Sequence, residues 1–259
     1  MMGSSKIQEK FKELKEKNEM ALILYVTGGF PNLGESMKII KTLSKSGADI
    51  IEIGIPFSDP IADGPTIQHS SQISLTKGTT LKKILSAVKK LKVNVPLVFM
   101  SYLNPLLAYG QEKFIKDMKD SGVSGLIIPD LPVEEASEWI SLSKEYETEL
   151  IFLLTPTSPL NRRKKIVSVS RGFVYCVTVT GTTGIRERLP SYLDKFLKEV
   201  KKLTDLPIAV GFGISTPEQI KMLHGKADGV ILGSRIIEAI INKENLIDLT
   251  RQLKEATKL

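Results

Sequence analysis

The chain contains few of the residues that mark disulfide-linked, metal-binding or membrane proteins. Cys176 is the single cysteine among 259 residues, so no disulfide can form within the chain, and a cytoplasmic location is expected. The two histidines, His69 and His224, are far apart in the sequence and argue against a zinc site. No run of 18 or more apolar residues is present, so no transmembrane helix is expected.

The chain begins with MMGSSKIQEKFKELKEK, which lacks the apolar centre of a signal peptide. This stretch is expected to form an amphipathic helix, with Ile7, Phe11 and Leu14 on one face. The net charge of +7 comes largely from lysines spread along helical stretches such as LKKILSAVKKLK, where they would face solvent and attract anionic substrates. Because no cluster combines basic and aromatic residues, nucleic-acid binding is not expected.

Short apolar runs alternate with stretches of helical periodicity along the whole sequence. Eight runs are predicted strands: 21–26, 48–53, 96–101, 124–129, 149–154, 172–179, 207–212 and 228–233. Their near-continuous apolar character is typical of parallel strands that are covered on both faces. A doubly wound sheet uses the same order of elements, but eight units in about 250 residues favour a closed (β/α)₈ TIM barrel. We therefore predict a single domain over residues 1–259, with an extra N-terminal helix.

The second predicted strand carries a carboxylate and leads into a rigid acidic loop, IIEIGIPFSDPIADGP (50–65). Glu52 lies in the apolar strand at the expected active face, where burial would raise its pKa and suit it to acid–base chemistry. The alternative is a structural ion pair with a buried Lys or Arg. For Asp63, in ADGP, turn formation and function remain equally open, and Asp59 is expected to serve the turn.

Three late loops are rich in glycine: VTGTTGIR (179–186), GFGIS (211–215) and GSRI (233–236). In this barrel the loops after the seventh and eighth strands commonly bind phosphate through backbone N–H groups and a helix N-terminus. Tight turns are the alternative explanation for any one of these loops. The three together predict a phosphorylated ligand, and the first loop is a candidate lid over the site.

The motifs together resemble the tryptophan synthase α-subunit family. They are IEIGIPFSDPIADGP, SYLNPL (101–106), IIPDLP (127–132), GFVYCVTVTGTTG (172–184), VGFGIS (210–215) and ILGSRII (231–237), in the family's order across almost the whole chain. The resemblance implies retro-aldol cleavage of indole-3-glycerol phosphate to indole and glyceraldehyde 3-phosphate. It also implies that Glu52 is the general acid–base and that Asp63 stabilises positive charge on the indole ring.

The same resemblance implies the other substrate contacts. The phosphate site would include Gly184, Gly213, Gly233 and Ser234. Tyr175 matches an active-site tyrosine, and Thr183 matches a lid threonine that interacts with Asp63. Tyr25 stands where the family often has Phe, packed against the indole, and GTTG replaces the commoner GVTG.

A partner is implied as well, namely a β subunit that uses pyridoxal phosphate to join indole to serine in an α₂β₂ heterotetramer. No cofactor is then expected in this chain. The interface would include Asp59, Pro60, Asn104, Pro105 and Pro132, in the loops after the second, third and fourth strands.

Other functions remain possible on the sequence alone. A Schiff-base aldolase needs a reactive lysine at a strand end, and none of the predicted strand cores contains one. A stand-alone indole-3-glycerol-phosphate lyase and a non-catalytic phosphate-binding barrel that activates a partner are further alternatives. Since Glu52 and Asp63 are both present, the non-catalytic function is disfavoured.

Overall fold

The computed structural model describes residues 5–177, 191–211 and 213–259. In these residues the strands are β1 (Ala21–Thr27), β2 (Ile50–Gly54), β3 (Leu97–Met100), β4 (Gly125–Ile127), β5 (Glu149–Ile151), β6 (Leu153–Leu154), β7 (Val174–Val177), β8 (Ile208–Gly211) and β9 (Gly229–Leu232). The helices are α1 (Lys6–Glu16), α2 (Leu33–Ser46), α3 (Pro65–Thr76), α4 (Leu81–Lys89), α5 (Leu103–Tyr109), α6 (Gln111–Asp120), α7 (Ser137–Glu145), α8 (Leu160–Val169), α9 (Ser191–Lys201), α10 (Pro217–Lys221), α11 (Ser234–Ile241) and α12 (Leu246–Glu255). No helix in the described ranges is both long and apolar enough to cross a bilayer.

All the strands are parallel and follow the order β5-β4-β3-β2-β1-β9-β8-β7-β6. The run 149–154, predicted as one strand, is divided at Phe152 into β5 and β6. The barrel closes there, because Arg171 N donates to Leu150 O at 3.0 Å and Tyr175 N donates to Phe152 O at 3.2 Å. Each predicted strand therefore has a counterpart, and the TIM-barrel prediction is confirmed. Residues 178–179 and 212, at the predicted ends of two strands, lie outside the described residues.

Two apolar layers explain why the strands have such continuous apolar sequences. In β1, Leu22 and Leu24 belong to the layer between the strands and the surrounding helices. Ile23 and Tyr25 alternate with them and belong to the layer inside the barrel. Because both faces of each strand are buried, successive side chains must be apolar whichever way they point.

The predicted amphipathic helix is present as α1, and it covers the N-terminal mouth of the barrel. Ser5 caps the helix by accepting from Gln8 N at 3.2 Å, and Ile7, Phe11 and Leu14 are buried in the inner layer. Gly125 and Gly229 make room for this helix, since an added β-carbon would lie 3.0 Å from the Ile7 side chain and 3.2 Å from the Phe11 ring, respectively. A substrate site inside the barrel must therefore open at the opposite, C-terminal end.

Candidate active site

Glu52 is placed by β2 at the C-terminal end of the barrel, on the inner face of the sheet. In the parallel register it lies between Tyr25 of β1 and Val98 of β3. The side chain is 1% exposed, and its Oε2 atom has no hydrogen-bond partner among the described residues. Burial raises the pKa of Glu52 to about 8, and the nearby charge of Asp63 adds to the rise. In the described part of the chain, no Lys or Arg forms an ion pair with Glu52. The alternative of a structural ion pair is therefore not supported.

Asp63 is half-buried in the loop between β2 and α3. The loop is held by Asp63 N, which donates to Pro60 O at 3.2 Å, and by the Gln68 side-chain amide, which donates to Asp63 O at 2.9 Å. Burial raises the pKa of Asp63 to about 6, while a hydrogen bond from the Tyr102 phenol opposes the rise. Both roles considered for Asp63 are therefore compatible. Its backbone forms the turn, and its carboxylate lies near Glu52 and Tyr102.

Tyr102 was missed as a site residue from the sequence, although it lies within SYLNPL. Tyr102 follows β3 and is 4% exposed. Its phenol oxygen accepts a hydrogen bond from Ala62 N at 2.9 Å, and its hydroxyl donates one to the Asp63 carboxylate. The Phe57 ring packs against it, with ring centroids 5.4 Å apart. A tyrosine one residue beyond the end of a barrel strand, next to an acidic loop, was the signal that would have identified it.

Two buried tyrosines form walls beside the carboxylates. The charges of Glu52 and Asp63 and, above all, burial raise the pKa values of both Tyr25 and Tyr175, so the two phenols stay neutral. Each ring occupies space left by a strand-end glycine. A β-carbon at Gly54 would collide with the Tyr25 hydroxyl, and one at Gly211 would collide with the Tyr175 ring. The two rings can lie beside the carboxylates because Gly54 and Gly211, at the ends of β2 and β8, carry no side chain.

Gly233, one of the predicted phosphate residues, lies beside Tyr25. Gly233 is the N-cap of α11, and a β-carbon there would lie 3.3 Å from the Ile67 side chain and 3.6 Å from Tyr25 Cβ. Ser234 is the first residue of α11, and no side chain caps the helix. Gly213 has φ of +81°, and an added β-carbon would meet nothing within 4 Å. Gly233 and Ser234 therefore present a helix N-terminus next to the aromatic wall, a geometry that suits an anion.

Two predicted contacts, Thr183 and Gly184, and the rest of the candidate lid lie outside the described residues. Among the residues that are described, no group of three or more His, Cys, Asp or Glu side chains is arranged to hold a metal ion. The predicted substrate contacts on β1, β2, β7 and α11 thus share one end of the barrel.

The predicted interface residues lie on neighbouring loops at the same end of the barrel. Asp59 and Asn104 are exposed, and Pro60, Pro105 and Pro132 are partly exposed. Tyr102 links the first two of these loops through its bond from Ala62 N. The second and third are linked by Leu103 N, which donates to Asp130 Oδ1 at 2.9 Å. The same loops expose apolar side chains, since Ile61 is 83% and Leu107 is 47% exposed.

Known proteins match this chain over nearly its whole length. The tryptophan synthase alpha chain family matches residues 11–258. The tryptophan synthase alpha chain of Carboxydothermus hydrogenoformans is 48% identical over 240 residues, which is 92% of this chain and 90% of that protein. The same-named protein of Caldanaerobacter subterraneus subsp. tengcongensis is 44% identical over 253 residues, covering 97% of this chain and 96% of the relative.

A solved structure gives the same result in three dimensions. A chain of the tryptophan synthase structure from Mycobacterium tuberculosis superposes with a TM-score of 0.93 at 35% identity, covering 99% of this chain and 100% of that chain. The resemblance inferred from the motifs is thus confirmed. With this barrel, this pair of carboxylates and these full-length matches, the chain belongs to the tryptophan synthase alpha chain family.

Proposed function

We propose that the chain cleaves indole-3-glycerol phosphate with Glu52 as the proton carrier and Asp63 as the group that stabilises positive charge on the ring. The lyase activity is that of its family, so the enzyme class and function predicted from the motifs are confirmed. The observation that supports the two residue roles is a pair of carboxyl groups held close together, the buried Glu52 on β2 and Asp63 in the loop that follows, and burial raises their pKa values to about 8 and about 6. At neutral pH the first group holds its proton and the second is charged.

This pair of protonation states matches the chemistry of the cleavage. Glu52 donates its proton to C3 of the indole, and the ring nitrogen becomes positively charged. Asp63 stabilises that charge as a fixed carboxylate. Glu52, now ionised, takes the proton of the side-chain hydroxyl. The electron pair of the breaking carbon–carbon bond returns to the ring, so indole and an aldehyde form and Glu52 regains its proton.

The helix N-terminus at Gly233 and Ser234 supports a role in holding the phosphate. Backbone N–H groups and the helix dipole favour a dianion there without a basic side chain. Tyr25 and Tyr175 would then pack on the indole ring, between this anchor and the carboxylates. Gly213, Gly184 and Thr183 are proposed as further contacts on the strength of the motif match.

The partner is proposed to be a pyridoxal-phosphate β subunit in an α₂β₂ assembly, with no cofactor in this chain. The loops that carry Asp59, Pro60, Asn104, Pro105 and Pro132 support this proposal, because they expose the apolar side chains of Ile61 and Leu107. Indole is small and apolar and crosses membranes, so direct transfer to a second active site would prevent its loss. The cytoplasm remains the expected compartment.

A single assay tests the cleavage. Purified chain is mixed with indole-3-glycerol phosphate, and indole and glyceraldehyde 3-phosphate are measured separately. Equal amounts of the two products are expected. A chain that binds the substrate without releasing either product would be the non-catalytic barrel, and the proposal would be wrong.

The partner is tested by adding the cognate β subunit to the same assay and to size-exclusion chromatography. Co-elution and a higher rate of indole formation are expected, since binding beside the site favours its ordered form. An unchanged rate with no co-elution, well above micromolar concentration, would identify a stand-alone lyase instead.

A further inference from the structure

A chain of buried hydroxyl groups runs from the pocket wall into the helix that follows the Asp63 loop. Thr27 Oγ1 donates to the Tyr25 phenol oxygen at 3.4 Å, and the hydroxyl oxygens of Thr27 and Ser70 lie 2.6 Å apart. When Thr27 donates to Tyr25, Ser70 is the donor to Thr27, and the Ile67 carbonyl oxygen, 2.8 Å from the Ser70 hydroxyl, is the competing acceptor for the same proton. Thr27 and Ser70 are fully buried and Tyr25 is 5% exposed. Since an unpartnered buried hydroxyl is destabilising, these groups depend on one another.

The hydroxyl chain joins two parts of the site that are distant in sequence. Tyr25 lies on β1 next to Glu52 in the register, and Thr27 lies next to Gly54. Ser70 belongs to α3, which begins at Pro65, two residues after Asp63. The Tyr25 ring and the helix that anchors the Asp63 loop are therefore positioned against each other by hydroxyl groups.

The fit around Tyr25 leaves its ring little freedom. Its hydroxyl fills the space where a Gly54 side chain would be, and Gly233 packs against its Cβ and ring on the other side. The Thr27 hydroxyl, 3.4 Å from the phenol oxygen, is its hydrogen-bond partner on β1. Without that bond, the buried phenol would lose its hydrogen-bond partner on β1.

We propose that Thr27 and Ser70 are positioning residues for the substrate pocket: they hold the Tyr25 phenol over Gly54 and so fix the wall on which the indole ring packs. This inference rests on the proposed function, because it assigns Tyr25 to the indole end of the substrate. Thr27 and Ser70 touch no reacting atom, so they act on substrate binding and leave proton transfer to Glu52.

The test is a double-mutant cycle between Thr27→Val and Tyr25→Phe. Valine keeps the shape of Thr27 and removes its hydroxyl, so KM should rise about fivefold, as expected for one lost buried hydrogen bond, with kcat within about twofold. In the Tyr25→Phe background, Thr27→Val should leave KM unchanged, because no phenol remains to be held. Ser70→Ala should follow the same pattern with a smaller effect.

Ser74→Ala is the matched control. Ser74 lies on the same helix, is fully buried, and donates to Gly28 O at 2.7 Å, outside the hydroxyl chain. Its variant should lower the melting temperature and leave KM unchanged. The inference is overturned if Thr27→Val raises KM equally in both backgrounds, or if Ser74→Ala raises KM as much as Thr27→Val does.

A binding measurement separates this inference from the proposed function. The Kd of indole-3-propyl phosphate, which has no bond to cleave, is measured by calorimetry for the four proteins of the cycle. A parent chain that shows no cleavage would refute the proposed function, and the cycle in Kd would still decide the inference. Additive effects on Kd in a chain that does cleave would refute the inference alone.

Discussion

Two buried glutamates, one towards each end of the barrel, are alike in burial, in unpartnered carboxyl oxygens and in raised pKa. They differ in the groups that surround them. Glu52 and Glu149 belong to one inward-facing row of the sheet, connected through Val98 and Gly125 in the register. They are 1% and 5% exposed, and each has an Oε2 atom with no partner among the described residues. Burial raises their pKa values to about 8 and about 7.

The difference lies in what covers each carboxyl group. Glu149 is at the start of β5, beneath α1, where the Ser5 hydroxyl donates to its Oε1 and Gly172 leaves space for it. Glu52 is the middle residue of β2, on the inner face of the sheet and close to Asp63, Tyr25 and Tyr175. A raised pKa by itself therefore does not identify a catalytic group. What distinguishes Glu52 is a second carboxylate, Asp63, and the buried tyrosines beside it.

The sharpest test of this comparison is Glu52→Gln. The amide keeps the shape and removes the proton carrier, so kcat should fall by about 10²–10⁴-fold. The variant should be more stable than the parent at pH 8, because a carboxyl group whose pKa is raised from 4.5 to about 8 by folding loses stability as the pH rises through that range. Rate and melting temperature measured on one preparation check both effects. Cleavage at the parent rate would remove Glu52 from the mechanism.

The next largest effect is expected for Asp63→Asn. A neutral amide cannot stabilise the positive ring, so kcat should fall by about 10²-fold while indole-3-propyl phosphate still binds. In the parent chain, activity should rise with pH near 6 as Asp63 ionises and fall near 8 as Glu52 loses its proton. The rise near pH 6 should disappear in the variant. If the variant keeps the parent turnover and the increase in activity near pH 6, Asp63 only forms the turn and has no part in cleavage.

Ser234→Asp tests the anion end of the pocket. A carboxylate in the first turn of α11 would repel the substrate phosphate from the helix N-terminus, so KM should rise about tenfold, with a smaller change in kcat. The matched control is Ser234→Ala, which removes the hydroxyl without adding charge and should change KM much less. If the two substitutions have equal effects, the phosphate lies elsewhere.

Tyr102→Phe should have a moderate effect that depends on pH. Its hydroxyl donates to the Asp63 carboxylate and favours the ionised form, so the loss of that bond raises the pKa of Asp63 above about 6. The acidic limb of the pH–rate profile should move to higher pH, with a loss of about fivefold at pH 6.5 and little loss at pH 8. A uniform loss across this range would show that Tyr102 only packs against Phe57.

Glu149→Gln should have the smallest effect on activity and completes the comparison. Its kcat and KM should stay within about twofold of the parent values, since the side chain lies under α1. The folded state holds the Glu149 proton with a pKa of about 7, above the value of 4.5 for an unburied group. Stability is therefore lost as the pH rises from about 4.5 through 7, and the glutamine variant avoids that loss.

The check is the melting temperature at two pH values. At pH 8 the Glu149→Gln variant should melt higher than the parent, at about 2–4 °C for each 1 kcal/mol recovered in a chain of this size. At pH 4.5 the two proteins should melt alike. A large loss of activity in this variant would show that the two ends of the barrel are coupled.

The sequence by itself determined the barrel and the end of it that carries Glu52. Strands that are buried on both faces must be apolar throughout, so the eight runs were visible without any knowledge of their neighbours. The amphipathic pattern within residues 1–17 identified the N-terminal helix, and only the structure showed that it covers one mouth of the barrel. The position of Glu52 at the end of an apolar strand then placed a carboxyl group at the other mouth.

Only the tertiary structure decided which groups meet at that mouth and in which protonation states. Nothing in the spacing shows that Tyr102 reaches Asp63, or that Ser70 reaches Thr27, because these contacts join residues 39 and 43 positions apart through side-chain length and helix orientation. The same limit applies to Glu149. Its sequence, in ELIFLL, resembles an apolar strand with a carboxylate as closely as that of Glu52 does. Burial, the covering helix and the facing charge separate the two, and all three arise only when the strands close into a barrel.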